Sequence, residues 1–238
     1  MAPGHRHQRF KAVLAGVAGP SAGAASSAAA AEAETSGSIA VPLDTEENAL
    51  EIVGGKGRSL SNMTRAGFQV PGGFLVTTAG YRAYVAEHRL HERILQAARP
   101  TVVGGRSSFE QSASTIAQLF EDHAMSTEAT EQITRAYADL GQQQDHQQQP
   151  AVAVRSSATA EDLPGLSFAG QHETFLNVSG AAAVVTAVRD CWASLWTAQA
   201  ISYRHQNGIP HGAVAMGVVV QRMIPSDVAV RTEHWQLH

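Results

Sequence analysis

Residues 153–174 read AVRSSATAEDLPGLSFAGQHET, and this stretch decides how the rest of the chain is read. An apolar run delivers Arg155, Ser156 and Ser157 to the end of a strand. A polar loop with Glu161 and Asp162 follows, and Gly170 and Thr174 then lead into the next apolar run, Phe175-Leu176-Asn177-Val178. An arginine at a strand end suits phosphate, because its planar fork makes paired, charge-assisted hydrogen bonds to phosphate oxygens. The same arginine can instead pair with Glu161 or Asp162 as a structural ion pair. Strand ends are also where ligands sit in mixed α/β sheets.

About a hundred residues earlier, Gly54-Gly55-Lys56-Gly57 stands ahead of a predicted helix over 57–66. Glycines permit close backbone approach, a helix start offers free N–H groups, and Lys56 adds a mobile positive charge. The alternative is a tight turn with a solvated lysine. The spacing is not that of a P-loop, since the glycines are too close and no Lys-Ser/Thr pair follows. Two cationic elements in one chain point to a nucleotide. Gly170 and Thr174 can form a cover over phosphates, although an ordinary loop entering a strand explains them as well. Gln221, at the end of an apolar strand, can read a base edge or simply bond backbone. His172 and the Glu161/Asp162 pair are assigned no catalysis, because solvated loop groups account for them.

The 238-residue chain carries a net charge of −4 and a pI near 6.2, so no global field draws it to nucleic acid or to an anionic membrane. One cysteine, Cys191, excludes an internal disulfide framework, sits in an apolar helical pattern, and fits a reducing, cytoplasmic compartment. No apolar run approaches the ~20 residues of a membrane span.

Residues 1–38 read as a disordered or targeting-like tail: basic residues, a short Ala/Gly-rich apolar run closed by Pro20, then Ala/Ser/Gly sequence. An ordered domain is expected over 39–230. Residues 39–43 read as an edge strand because of Pro42. Residues 68–77 read as a strand kinked at Pro71-Gly72-Gly73, and Thr78 can cap a helix through Tyr81, Tyr84 and Val85. Ile116, Leu119 and Phe120 mark a helix, and Ser126 or Thr127 can cap another through Ile133, Tyr137 and Leu140. Residues 141–150, GQQQDHQQQP, form a low-complexity loop. Residues 184–203 show one helical pattern ended by Gly208, and the valine-rich run 213–223 reads as a central strand, with an unfinished sheet edge nearby open to association. The tail 231–238 diverges in character.

Taken together, the motifs resemble the ATP-binding domain of the phosphoenolpyruvate synthase and pyruvate phosphate dikinase family. They are VGGKGRSLSNM at 53–63, VPGGFLVTT at 70–78, VRSSATAEDLPGLSFAGQHETFLNV at 154–178, CWASLWT at 191–197 and VVVQRMIPSDVA at 218–229. The Trp-containing and closing segments are somewhat more similar to the rifampicin phosphotransferase branch. The resemblance covers 39–229 and is weak across 99–149. It implies an α+β, ATP-grasp-like nucleotide-binding domain, incomplete at its C-terminus. It also implies ATP contacts at Lys56 and Arg155 for phosphates, Gly170 and Thr174 in a covering loop, and Gln221 near the adenine. In that family a remote domain carries a phosphohistidine that passes phosphate to pyruvate, water or an acceptor such as rifampicin. The family's magnesium ligands follow the region matched here, so magnesium, the histidine domain and the acceptor domain are expected to come from outside this chain, the domains in trans. The competing expectation is a non-catalytic remnant that binds nucleotide weakly or not at all.

Overall fold

The computed structural model describes residues 37–103, 106–142, 149–159 and 173–224. Seven strands and seven helices alternate along them: β1 (Ala40–Pro42), α1 (Leu50–Arg65), β2 (Gly73–Val76), α2 (Thr78–Glu87), α3 (Leu90–Ala97), β3 (Thr101–Val103), β4 (Arg106–Ser108), α4 (Glu110–Glu121), α5 (Thr127–Gln142), β5 (Val152–Ala158), β6 (Thr174–Val178), α6 (Ala181–Ser194), α7 (Ala198–Gln206) and β7 (Met216–Arg222). A 3₁₀ turn at His211–Ala213 precedes β7. The main sheet has the order β1-β2-β7-β5-β6, with every pairing antiparallel, and β3 and β4 form a separate hairpin. The architecture is α+β.

Strand alternation divides the sheet into two faces. Phe74, Val76, Val152, Val154, Ala158, Val218 and Val220 point into the large core. Trp192, Tyr81, Tyr84 and Phe120 meet there as an aromatic cluster, with Tyr84 and Phe120 stacked at 5.5 Å and Tyr81 edge-on to Trp192 at 6.3 Å. Burial pushes the hydroxyls of Tyr81 and Tyr84 up to about 12 and raises the Cys191 thiol, so none of these is a nucleophile. Leu75 and Val219 point to the opposite face, where Val53 of α1 and Leu43 complete a second, smaller core. One helix therefore covers one face and the remaining layer covers the other.

Several expectations are corrected. The first helix is not confined to 57–66: it runs from Leu50 and is broken internally at Gly54, with φ 71° and ψ 177°. The strand over 68–77 shrinks to Gly73–Val76, since Pro71 has no N–H for a ladder. Thr77, not Thr78, is the N-cap of α2, and Thr78 Oγ1 donates instead to Glu51 O at 2.6 Å, tying α2 to α1. The single pattern over 184–203 is two helices. The break falls where Thr197 caps α7 by accepting from Ala200 N–H at 3.2 Å. The valine-rich run is central as expected, but it offers no open edge: β7 is paired on both sides, by β2 and β5. Its first residue, Ala213, ends the 3₁₀ turn, and the strand begins at Met216. Ser126 does cap α5, accepting from Ala129 N–H at 3.2 Å. That helix extends to Gln142, two residues into the expected loop; most of the loop, residues 1–36 and the tail 231–238 lie outside the described residues.

A buried charge sits between α7 and the 3₁₀ turn. The Arg204 guanidinium is fully buried, lies 4.9 Å from the Trp196 ring centre, and donates Nε–H to His211 Nδ1 at 3.2 Å. Trp196 Nε1 in turn donates to Tyr81 Oη at 3.1 Å. Because Nδ1 accepts, it carries no proton. Partial burial, then Arg204 and His205, push His211 from its ordinary 6.5 down to about 4. A histidine depressed on folding binds more protons unfolded, so its contribution is present above pH 6.5 and is lost as pH falls toward 4. Discounted for its solvent access, the loss is about 1–2 kcal/mol. Thermal melts between pH 7 and 4 are expected to fall less steeply for His211→Gln than for the parent chain. Parallel curves would remove this account.

Candidate functional site

Ser157 makes the joint on which the site is built. Its hydroxyl donates to Val53 O at 2.8 Å and accepts from Gly57 N–H at 2.9 Å, and it is fully buried. Those two backbone groups flank the Gly54 break, so one side chain of β5 holds both halves of α1. Gly54 is required here. A Cβ on it would lie 1.9 Å from Ser157 O, and its φ/ψ belongs to a region that only glycine occupies comfortably. Gly217 on β7 allows the same close seating, since a Cβ there would meet Val53 O at 2.8 Å. The helix restarts directly after the break, bringing Lys56 to this joint beside Gly57.

The register then places the other expected residues. Arg155 lies two residues before Ser157 on β5, and so on the same face, about 7 Å away. It pairs directly with Thr174 on β6 and with Val219 on β7. Followed across the sheet, one row on this face reads Val41, Leu75, Val219, Arg155, Thr174. The first three pack with α1, and the row turns polar at Arg155 and Thr174. Arg155 is half-buried and Thr174 exposed. The next row holds Gly73, Gln221 and Ala153, so Gln221 shares the face, one step along the strands from Arg155. Its amide donates to Pro71 O at 3.2 Å, the backbone role anticipated as one of its two explanations.

Lys56 and Arg155 are carried by α1 and β5, which the Ser157 joint holds together. Gly170, with Glu161, Asp162 and His172, lies outside the described residues. Ser157 was missed as an anchor, although alternation from Arg155 marks it as facing the glycine element. Leu176, two residues after Thr174, is large, apolar and 59 % exposed. Asn177, at φ 56°, marks the irregular register between β5 and β6 beside it. Among the described residues, no group of three or more His, Cys, Asp or Glu is placed to hold a metal ion. No helix among the described residues is long and apolar enough to cross a membrane.

Fold and site define an α+β domain in which a glycine-broken helix is pinned beside a polar patch on one face of an antiparallel sheet. The chain belongs to the pyruvate phosphate dikinase AMP/ATP-binding domain family, whose model matches residues 50–230. It is 44% identical over 184 residues to the phosphoenolpyruvate synthase of Aeropyrum pernix, covering 77% of this chain and 22% of that protein. Rifampicin phosphotransferases are similar too. That of Streptomyces sviceus is 41% identical over 182 residues (76% of this chain, 20% of that protein), and that of Bacillus subtilis is 37% identical over 182 residues with the same coverage. The chain spans about a fifth of the length of these curated relatives.

Proposed function

We propose that this chain is the ATP-binding portion of a dikinase-type phosphotransferase with an ATP-grasp-like site. The phosphates lie between the Gly55–Gly57 turn and the Arg155–Thr174 pair, and the base lies toward Gln221. The observation that carries the reading is the row in which apolar residues under α1 give way to Arg155 and Thr174 beside the pinned turn. Backbone N–H groups at a helix restart and a cationic fork are complementary to phosphate oxygens. Lys56 adds a point charge. Gly170 and Thr174 act in the cover over the phosphates. Magnesium, supplied with ligands from outside the described residues, neutralises phosphate charge when bound. Phosphate then passes to a histidine on a further domain, whose acceptor is pyruvate, rifampicin or another small molecule.

Calorimetric titration with ATP tests the nucleotide site. Arg155→Ala is expected to weaken ATP by about 10–100-fold, the value of a charge-assisted contact, with little change in Tm because the side chain is only half-buried. Lys56→Ala weakens it by a smaller factor. Inorganic tripolyphosphate is expected to compete and to lose affinity to Arg155→Ala in parallel, whereas Gln221→Ala affects ATP alone. An ATP affinity indifferent to Arg155→Ala and Lys56→Ala overturns the assignment.

A further inference from the structure

Where α2 and α4 end, on the large-core side of the sheet, two histidines stand side by side. His88 is the C-cap of α2, and His123 follows α4 by two residues. Their ring centres are 4.7 Å apart, with planes inclined at 51°. Each ring has one nitrogen against a backbone carbonyl: His88 Nε2 with Ala124 O at 2.8 Å, and His123 Nδ1 with Leu119 O at 2.7 Å. A carbonyl oxygen only accepts, so each of those nitrogens carries the proton. The remaining nitrogens, His88 Nδ1 and His123 Nε2, therefore hold free lone pairs. Neither has a hydrogen-bond partner among the described residues, and neither is among the buried unpartnered atoms, so both are open to solvent.

This is the arrangement by which metal-ligating histidines are oriented, with one N–H fixed on a carbonyl and the other nitrogen presented as ligand. The spacing also fits. With metal–nitrogen bonds of about 2.0–2.1 Å and a tetrahedral angle, two imidazoles on one ion have ring centres about 5 Å apart. The surroundings are rigid, since Tyr84 Oη lies 2.9 Å from His123 O and 3.0 Å from Phe120 O, and the Tyr84 ring packs 4.9 Å from that of His88.

We propose that His88 and His123 form a two-histidine site for a divalent transition metal ion of the Zn²⁺, Co²⁺ or Cu²⁺ class, with water in the remaining positions. Imidazole nitrogen selects such ions over Mg²⁺ or Ca²⁺. Two protein ligands and open positions make it an exchangeable site, one that staples the end of α2 to the turn after α4. It is independent of the phosphate-binding face.

The test is titration of the full chain with Co²⁺, followed by its visible absorption, and with Zn²⁺, followed by Tm. The background carries His5→Ala, His7→Ala, His234→Ala and His238→Ala, so that the terminal histidines do not contribute. One equivalent of Co²⁺ is expected to bind, and Zn²⁺ at tenfold over its dissociation constant is expected to raise Tm by about 4 °C. His88→Gln and His123→Gln keep an N–H for the carbonyl but remove the ring ligand, and each should weaken binding at least about tenfold. No cobalt spectrum up to millimolar metal overturns the proposal. So does a spectrum that both glutamine variants leave unchanged.

Discussion

Gly54→Ala is expected to lower stability by more than about 3 kcal/mol, enough to leave much of the chain unfolded at 37 °C. Two costs coincide at this position. The backbone conformation, φ 71° and ψ 177°, is one that a side chain tolerates only under strain, worth about 1–3 kcal/mol. The added methyl would also lie 1.9 Å from Ser157 O and 2.5 Å from Ser157 Oγ, so α1 must lift from β5. Lifting it opens the small core of Leu43, Val53, Leu75 and Val219. Gly67 provides the control: its φ is 82°, but nothing stands within 4 Å of the position a Cβ would take. Gly67→Ala therefore carries the strain without the collision and is expected to cost about 1 kcal/mol. Urea denaturation distinguishes the two, and a Gly54→Ala chain within about 1 kcal/mol of the parent would show that the α1–β5 joint is not tight.

What was legible in the sequence was what depends on local periodicity and special residues. Ile116, Leu119 and Phe120 announced α4 because three- and four-residue spacing makes one buried stripe. The valine run announced a strand buried on both faces, and Pro42 an edge. The failures lie where tertiary contact overrides local signal. Helical residues 50–53 precede a glycine pair that reads as a stop, yet α1 continues through it because Ser157, 100 residues away, satisfies the backbone groups that the break exposes. The continuous apolar pattern across 184–203 hid the turn at Thr197, because packing of Leu195 and Trp196 continues through the break. The β3–β4 hairpin went unread in the stretch where the motif resemblance was weakest. For the site, the residue types were visible but the strand register was not. Whether Thr174 stands opposite Arg155 is a matter of register, and register here bends around Asn177.

Ser157→Ala is the second large effect, and it bears on function as well as stability. The substitution fits the space, so the cost is purely that of lost hydrogen bonds. The Val53 carbonyl and the Gly57 N–H, both at a buried joint, are left without their partner. At about 1–3 kcal/mol for each of the two unsatisfied buried groups, the loss is about 2–6 kcal/mol. Since Gly54→Ala disrupts the same joint, the double variant should fall well short of the sum of the two, a coupling visible in a double-mutant cycle. Ser157 lies under α1 and would not touch a phosphate, yet freeing the Gly57 N–H loosens the turn that, on the proposed reading, presents backbone donors to ATP. ATP affinity in Ser157→Ala should therefore drop by about tenfold even at a temperature where the variant remains folded, and tripolyphosphate affinity should drop with it. Ser157→Thr restores a hydroxyl at the cost of an extra methyl, and partial recovery of both affinity and Tm is the expected sign that the hydrogen bonds, not the volume, carry the effect. A stable, folded Ser157→Ala chain with undiminished ATP affinity would separate the glycine turn from the phosphates and leave Arg155 to hold them without it.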